Sequence, residues 1–535
     1  MNTSRRFPKA AIAAAVLVPL FAGAFVVQQK QTVASARLLD QVLQLTSTRY
    51  VDTVSANTLY EKAARGLVRE LNDPYSVLFS PKEYAQFNQQ TGGEYGGIGM
   101  EIVETQGYVT VQRVFPNTPA SAGGVLDGDR IVQIDTTNVR GWTVQQVSDK
   151  LKGPAGSEIN VKFLRSGIAE PIPMTFHRAI VHIPAIPYTL VFEGNVGYIP
   201  LQQFSGTATD ELEDAVNRVE KAGATRVILD LRGNPGGILD QAIGTSNLFL
   251  KQGAEIASVR ARNGEAQSYS ATVAPQEPTI PLVLLVDGRS ASASEILAGA
   301  LQDHDRAMIL GTTSYGKGLV QSLFQLDGGY ALKMTTAKWY TPSGRSIQKE
   351  RKLLPDGEFV EVTPDSLESD SVKKARPKFK SDAGRVVYGG GGITPDIIIK
   401  PDTLTTAEQR LLNSFAPKSQ VFRSVLQDFA AEHKGKVRPD FTVTSDMRND
   451  FVKRLRDKGV TVDNALLQAG GHELDQIVGS SIATLAFGDS TAKRKYLSDD
   501  NQLMKAIEVI KGAANQQALF TIAQHESQVA SAHKE

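Results

Sequence analysis

The stretch from Pro281 to Gln321 constrains the fold more than any other part of the chain. Leu282 to Val286 is a continuous apolar run, which suits a strand buried on both faces. Asp287 to Arg289 is turn material. Ile296, Leu297, Ala300 and Leu301 then recur with helical spacing. The serine cluster Ser290-Ala291-Ser292-Ala293-Ser294-Glu295 therefore sits where a buried strand ends and a helix begins. Open α/β sheets carry their chemistry at that edge, and a helix start adds free backbone N–H groups and a positive dipole end.

Two readings of the cluster compete. Ser292-Ala-Ser-Glu295 fits a capping box, in which the serine oxygen accepts a backbone N–H near Glu295. A nucleophilic serine is the alternative, and it needs a base. No Gly-x-Ser-x-Gly elbow surrounds any serine here. His304 lies 12 residues beyond Ser292, about 18 Å away along one helix, and cannot reach it. Lys317 lies between Gly316 and Gly318, after a second apolar run from Ala307 to Leu310. A surface lysine needs no flexible backbone on both sides. A lysine serves as base where burial disfavours its ammonium form, and Ser–Lys pairs are a known variant of serine catalysis. Lys333 and Lys338 stand in no such turn and are expected to be structural or exposed. Gln321 follows Lys317 by four residues, at the start of the next strand-like run.

Ser-Ala-Ser-Ala-Ser-Glu-Ile-Leu-Ala-Gly-Ala-Leu from Ser290 and Tyr-Gly-Lys-Gly-Leu-Val-Gln from Tyr315 resemble the signature of the C-terminal processing peptidases, also called tail-specific proteases. The resemblance covers roughly residues 38–400. It implies that Ser292 is the nucleophile, Lys317 the base and Gln321 the residue that orients the lysine. Asp230-Leu-Arg232-Gly-Asn234-Pro-Gly236-Gly237 matches a further motif of that family. There the resemblance implies an oxyanion hole from the N–H groups of Gly237 and Ala293. A turn that merely needs positive φ is the plainer reading of those glycines.

Residues 92–178 resemble a PDZ domain. Gly96-Gly97-Ile98-Gly99-Met100 is a glycine-rich loop entering an alternating strand, and Val144 to Leu151 is the expected groove helix. N–H groups around Gly97, Ile98, Gly99 and Met100 can capture a terminal carboxylate while the strand pairs with the peptide. The segment 1–36 reads as a signal peptide or a membrane anchor. Arg5, Arg6 and Lys9 precede the apolar run 10–27, and Ala22-Gly-Ala24 and Ala34-Ser-Ala36 are cleavage candidates. A periplasmic or other extracytoplasmic location follows, with residues 10–27 as an inner-membrane anchor if they are retained.

The whole is expected to be an α/β protein with a crotonase/ClpP-like βαβ catalytic core over residues 179–400 and an inserted PDZ domain. N-terminal helices would span 37–91, including Leu71 to Phe87. Residues 349–390 would form an exposed insertion, and 401–535 a mainly helical C-terminal extension with a loose end from Gln524. The chain has no cysteine, which excludes disulfides and thiolate chemistry, and its net charge of +1 favours no nucleic acid. No His-Glu-x-x-His or phosphate loop is present, so neither metal nor cofactor is expected. The expected activity is serine endopeptidase cleavage near the C-termini of polypeptides with apolar tails. An adaptor or regulatory protein and a second copy of the chain are candidate partners. A PDZ scaffold without catalysis and a crotonase-like acyl-CoA enzyme are the alternatives.

Overall fold

The computed structural model describes residues 37–105, 107–165, 167–353, 359–361, 376–402 and 404–532. The signal or anchor segment lies outside them, as do residues 354–358 and 362–375 of the expected insertion. The chain divides into two compact units.

The first unit joins the N-terminal residues up to Pro81 to Gln321–Thr335. It holds a helix over 37–49 and another over Ala56–Arg69, capped by Ser55. The segment expected to supply N-terminal helices also contains a strand, Val77–Phe79, which pairs antiparallel with Ala331 to Lys333. Asn72-Asp73-Pro74 breaks the helix, and the partner that turns the next residues into a strand is more than 250 positions away. No local pattern announces it.

The second unit contains the expected PDZ-like domain, a central sheet and the C-terminal helices. In the domain, five strands run Met100–Thr105, Tyr108–Val114, Arg130–Ile134, Glu158–Leu164 and Ile172–His177 in antiparallel order around a core that includes Val109, Ile131 and Phe163. The helix Val144–Leu151 carries a complete capping box between Thr143 and Gln146.

The central sheet has six strands: β1 (Leu190–Phe192), β2 (Val196–Pro200), β3 (Arg226–Asp230), β4 (Leu282–Val286), β5 (Met308–Gly311) and β6 (Ile397–Ile398). β1 is antiparallel to β2, and every later pairing is parallel. On one face lie α1 (Ala208–Lys221), α2 (Leu239–Asn247) and α3 (Ala293–Asp303). Leu282, Leu284 and Val286 of β4 face that layer, whereas Val283 and Leu285 face the opposite core. This two-sided burial explains the unbroken apolar run.

The C-terminal residues form two groups. α4 (Thr406–Phe415), α5 (Ser419–His433), α6 (Ser445–Asp457) and α7 (Asn464–Phe487) enclose their own core around Phe429 and Phe451. After the short α8 (Asp489–Lys495) come α9 (Asn501–Lys511) and α10 (Gln516–Ala532), which cover the second face of the central sheet with Leu503, Ile510, Leu519 and Phe520. The end expected to be loose is thus helical through Ala532. The helix is anchored by Leu519 and Phe520, which share a core with Met308, Leu310 and Ile397 of the sheet.

The expected exposed insertion is corrected at its described ends. Lys378–Lys380 pairs with Val386–Tyr388, and Val387 is buried. Arg385 is bonded to Asp305 and Asp396, so its charge is matched by carboxylates outside the expected insertion.

One pH effect follows from this fold. Burial, and next the charge of Glu220, push the carboxyl of Glu277 from its ordinary 4.5 up to about 7. The folded state then binds this proton more tightly than the unfolded state does. Stability should fall as pH rises from about 4.5 to about 7. Comparing wild-type and Glu277→Gln melting temperatures at pH 5 and pH 8 checks this, with the substitution expected to flatten the difference.

Candidate active site

The turn after β4 is built on Asp287. Its Oδ1 accepts the N–H groups of Gly233 (2.9 Å), Arg289 (3.0 Å) and Ser290 (3.1 Å). Ser290 Oγ donates to the Leu231 carbonyl at 2.8 Å. The ends of β3 and β4 are thereby tied together. Two residues on, Ser292 has φ 55° and ψ −112°. Such backbone costs a non-glycine residue about 1–3 kcal/mol and persists only where the surroundings impose it. A sharp, strained strand-to-helix turn is the geometry of a nucleophile elbow. The flanking glycines that an elbow motif requires are absent from the turn, and close packing is achieved from the facing loop. A Cβ on Gly236 would lie 2.6 Å from the Ala291 carbonyl oxygen and 3.0 Å from Ser292 Cβ. Gly236→Ala is accordingly expected to push the two loops apart and cost at least about 100-fold in kcat, on the scale of losing an oxyanion donor. Steady-state kinetics on a folded variant checks this.

Glu295 folds back on the start of its own helix as the capping reading expects: it accepts the Ser292 N–H at 2.8 Å, and the Glu295 N–H donates to the Ser292 carbonyl at 2.9 Å.

Glu295 is also the hub of the site. Its Oε2 accepts both Ser292 N–H and Lys317 N–H (2.9 Å). Its Oε1 accepts Gly316 N–H (2.6 Å) and Ser314 Oγ–H (2.5 Å). The backbones of Ser292 and Lys317 are thus two hydrogen bonds apart through one oxygen. The side chain is fully buried, and that burial raises its pKa against the four donors, which lower it. Four donors aimed at two oxygens match an ionised carboxylate, which has no proton to place among them.

The loop around Lys317 is pinned on both sides. Tyr315 N–H donates to the Ser290 carbonyl (3.0 Å), and Trp339 Nε1 donates to the Lys317 carbonyl (2.9 Å). Arg351 stacks on Tyr315 and donates to the Tyr315 carbonyl (2.6 Å). Gly316 has φ +80°, and a Cβ there would meet Lys349 Cγ at 2.5 Å. That contact gives the glycine before Lys317 a physical reason. Gln321 belongs to the first unit, where its Nε2 donates to Thr335 Oγ1 at 3.3 Å. Lys333 lies over the Phe79 ring, and burial lowers its pKa. His304 bonds Asp382 and the Glu255 carbonyl, away from the serine turn.

The glycine loop after β3 faces the serine turn. Asn234 was singled out by no spacing rule, yet it connects the two. Its carbonyl accepts Ala291 N–H and Ser294 Oγ–H, both at 3.0 Å, and its side chain bonds the Leu201 carbonyl and Gly236 N–H. Gly237 has φ +155°, and a Cβ there would strike the Phe204 carbonyl at 2.2 Å. Among the described residues, the N–H groups of Gly237 and Ala293 have no hydrogen-bond partner.

In the N-terminal β-rich domain, Ala120 N–H donates to the Ile98 carbonyl (2.7 Å), and Phe115 N–H and Thr118 Oγ donate to the Gly99 carbonyl (both 3.1 Å). Gly97 pairs with Ala179, Gly99 has φ +86°, and Met100 opens an edge strand. A cavity of about 1650 Å³ lies between this domain, α5, α7 and the Arg232–Asp500 region. Ser292, Lys317 and Gly237 do not line it, so its size is no guide to the chemistry.

Residues 195–365 match peptidase family S41, 110–165 match a PDZ domain, and 24–82 match the activating protease CtpB N-terminal domain. The carboxy-terminal-processing protease of Bartonella bacilliformis is 38% identical over 312 residues, covering 57% of this chain and 71% of that protein. The chain belongs to the carboxy-terminal processing protease family. The carboxyl-terminal-processing protease of a Picosynechococcus species is also 38% identical, over 55% of this chain and 70% of that one. Carboxy-terminal processing protease CtpA of Bacillus subtilis is 32% identical, over 58% and 66%. A family member of this kind is a serine-type endopeptidase with a PDZ domain. The assignment speaks for the peptidase reading and for neither the scaffold nor the acyl-CoA enzyme.

Proposed function

We propose that this protease attacks peptide bonds with Ser292, using Lys317 as its base. The observation that carries the reading is the shared Glu295 carboxylate, which holds Ser292 and Lys317 in one place. Ser292 Oγ adds to the scissile carbonyl carbon while Lys317 Nζ takes its proton. The N–H groups of Gly237 and Ala293, which have no hydrogen-bond partner among the described residues, receive the oxyanion. Collapse breaks the C–N bond, and Lys317 returns the proton to the leaving amine. Water then releases the acyl group by the same steps. Gln321, whose described partner is Thr335, receives no step here.

Substrates in this reading are polypeptides with apolar C-terminal tails. The carbonyls of Ile98 and Gly99 are committed to the domain, and the Tyr95 hydroxyl lies at the Met100 N–H, a place the tail carboxylate would take over, while the edge strand from Met100 would pair with the tail. Export is part of the proposal. It rests on the basic start and apolar run of residues 1–36.

A matched pair of peptides, one with a free C-terminal carboxylate and one amidated, tests both halves. The free acid should be cut with the lower KM and the amide at a similar kcat. Equal KM values would remove the tail-capture half, and no cleavage of either by purified protein would remove the whole.

A further inference from the structure

The loop that carries Gly236 and Gly237 is held from an unexpected direction. Arg232 lies four residues before Gly236. Its backbone N–H and Nε both donate to Asp230 Oδ1 at 3.0 Å, and Nη2 donates to Asp230 Oδ2 at 2.7 Å. The outer edge of the same guanidinium meets Asp500, with Nη1 to Oδ1 at 2.8 Å and Nη2 to Oδ2 at 2.9 Å. This is the two-pronged geometry that fixes direction as well as distance. Asp500 is fixed in turn, because its Oδ1 caps α9 through Leu503 N–H (3.0 Å) and Lys493 of α8 bonds its Oδ2. Arg232 and Asp500 are 16% and 15% exposed, so water screens the pair weakly. Although burial opposes it, contact with Arg232 and then Lys493 holds the Asp500 carboxyl well below the usual carboxylate range.

We propose that Asp500 is a positioning residue for catalysis, setting the loop of Gly236 and Gly237 against Ser292 through the guanidinium of Arg232. The inference rests on the reading of Gly237 as an oxyanion donor. It makes turnover depend on a carboxylate of the C-terminal helices, far beyond residue 365, where the S41 match ends. Without Asp500 the outer edge would keep one neutral contact, Nη1 to Gln502 Oε1 at 3.1 Å, and lose the paired, charged grip that fixes its direction.

The test uses the full chain and a fluorophosphonate probe, whose phosphonyl oxygen needs the same N–H donors as the oxyanion. Asp500→Asn keeps an oxygen to cap α9 but loses the charge. It should slow probe labelling of Ser292 and lower kcat in parallel, each at least tenfold, with KM changed less than twofold. Asp500→Glu should recover part of both. Arg232→Lys is the second variant, should Asp500→Asn fold poorly. It should be equally slow, and the double variant no slower than the lower single. Labelling and kcat within twofold of wild type in either single variant would overturn the inference, as would multiplicative losses in the double. A lower melting temperature with unchanged labelling would also overturn it. A wild-type protein that turns over peptide yet takes no probe on Ser292 would refute the catalytic reading instead.

Discussion

Ser292→Ala is expected to lose on the order of 10⁴-fold or more in kcat, as serine-nucleophile enzymes do when the attacking oxygen is removed. Tail-peptide affinity should stay at the wild-type level, because the proposed capture loop belongs to a separately cored domain. Lys317→Ala should be comparably slow, since a nucleophile and its base act as a unit, and the double variant should be little worse than either alone. Additive losses would mean that the two residues serve different steps. Single-turnover cleavage and fluorescence anisotropy of a labelled tail peptide measure the two quantities on the same preparations.

Glu295→Gln is the second large effect, and it acts on stability and turnover together. The carboxylate accepts four donors with two oxygens, fully buried. A glutamine amide keeps one oxygen and turns an NH₂ toward two of those donors. Leaving buried donors unsatisfied costs about 1–3 kcal/mol each, so a loss of about 2–4 kcal/mol is expected. The same change uncouples Ser292 from Lys317, and kcat should fall at least tenfold in protein that remains folded. Urea unfolding and kinetics at a temperature below the variant's transition check the two parts. A variant of unchanged stability would show that the donors find other partners.

The parts of this site that were legible in the sequence are those whose signal is local. Leu282 to Val286 announces a strand with two buried faces because both faces demand apolar side chains. Gly316 and Gly318 mark an unusual backbone around Lys317, and the structure adds that a Cβ on Gly316 would strike Lys349. Glu295 was legible only as a capping residue, since its spacing to Ser292 is local whereas its bonds to Ser314, Gly316 and Lys317 are made by the fold. The elbow at Ser292 escaped its motif because the glycine at the close contact, Gly236, is on another loop. Asn234 carries no spacing rule at all, and its work is done by a carbonyl and an amide that any sequence could contain. The strand Val77–Phe79 and the sheet-covering role of α9 and α10 were hidden for a related reason. Each is decided by a partner hundreds of residues away, so the local pattern shows an apolar segment and not what it packs against.

Mass spectrometry of the protein quenched during turnover of a tail-bearing peptide addresses the chemistry most directly. An acyl fragment of the substrate should be found on the proteolytic peptide containing Ser292 in the wild type. It should be absent from Ser292→Ala and, over the same time, from Lys317→Ala. An acyl group on another residue, or cleavage that continues at the wild-type rate in Ser292→Ala, would contradict the proposal that this serine, held beside Lys317 by Glu295, performs the attack.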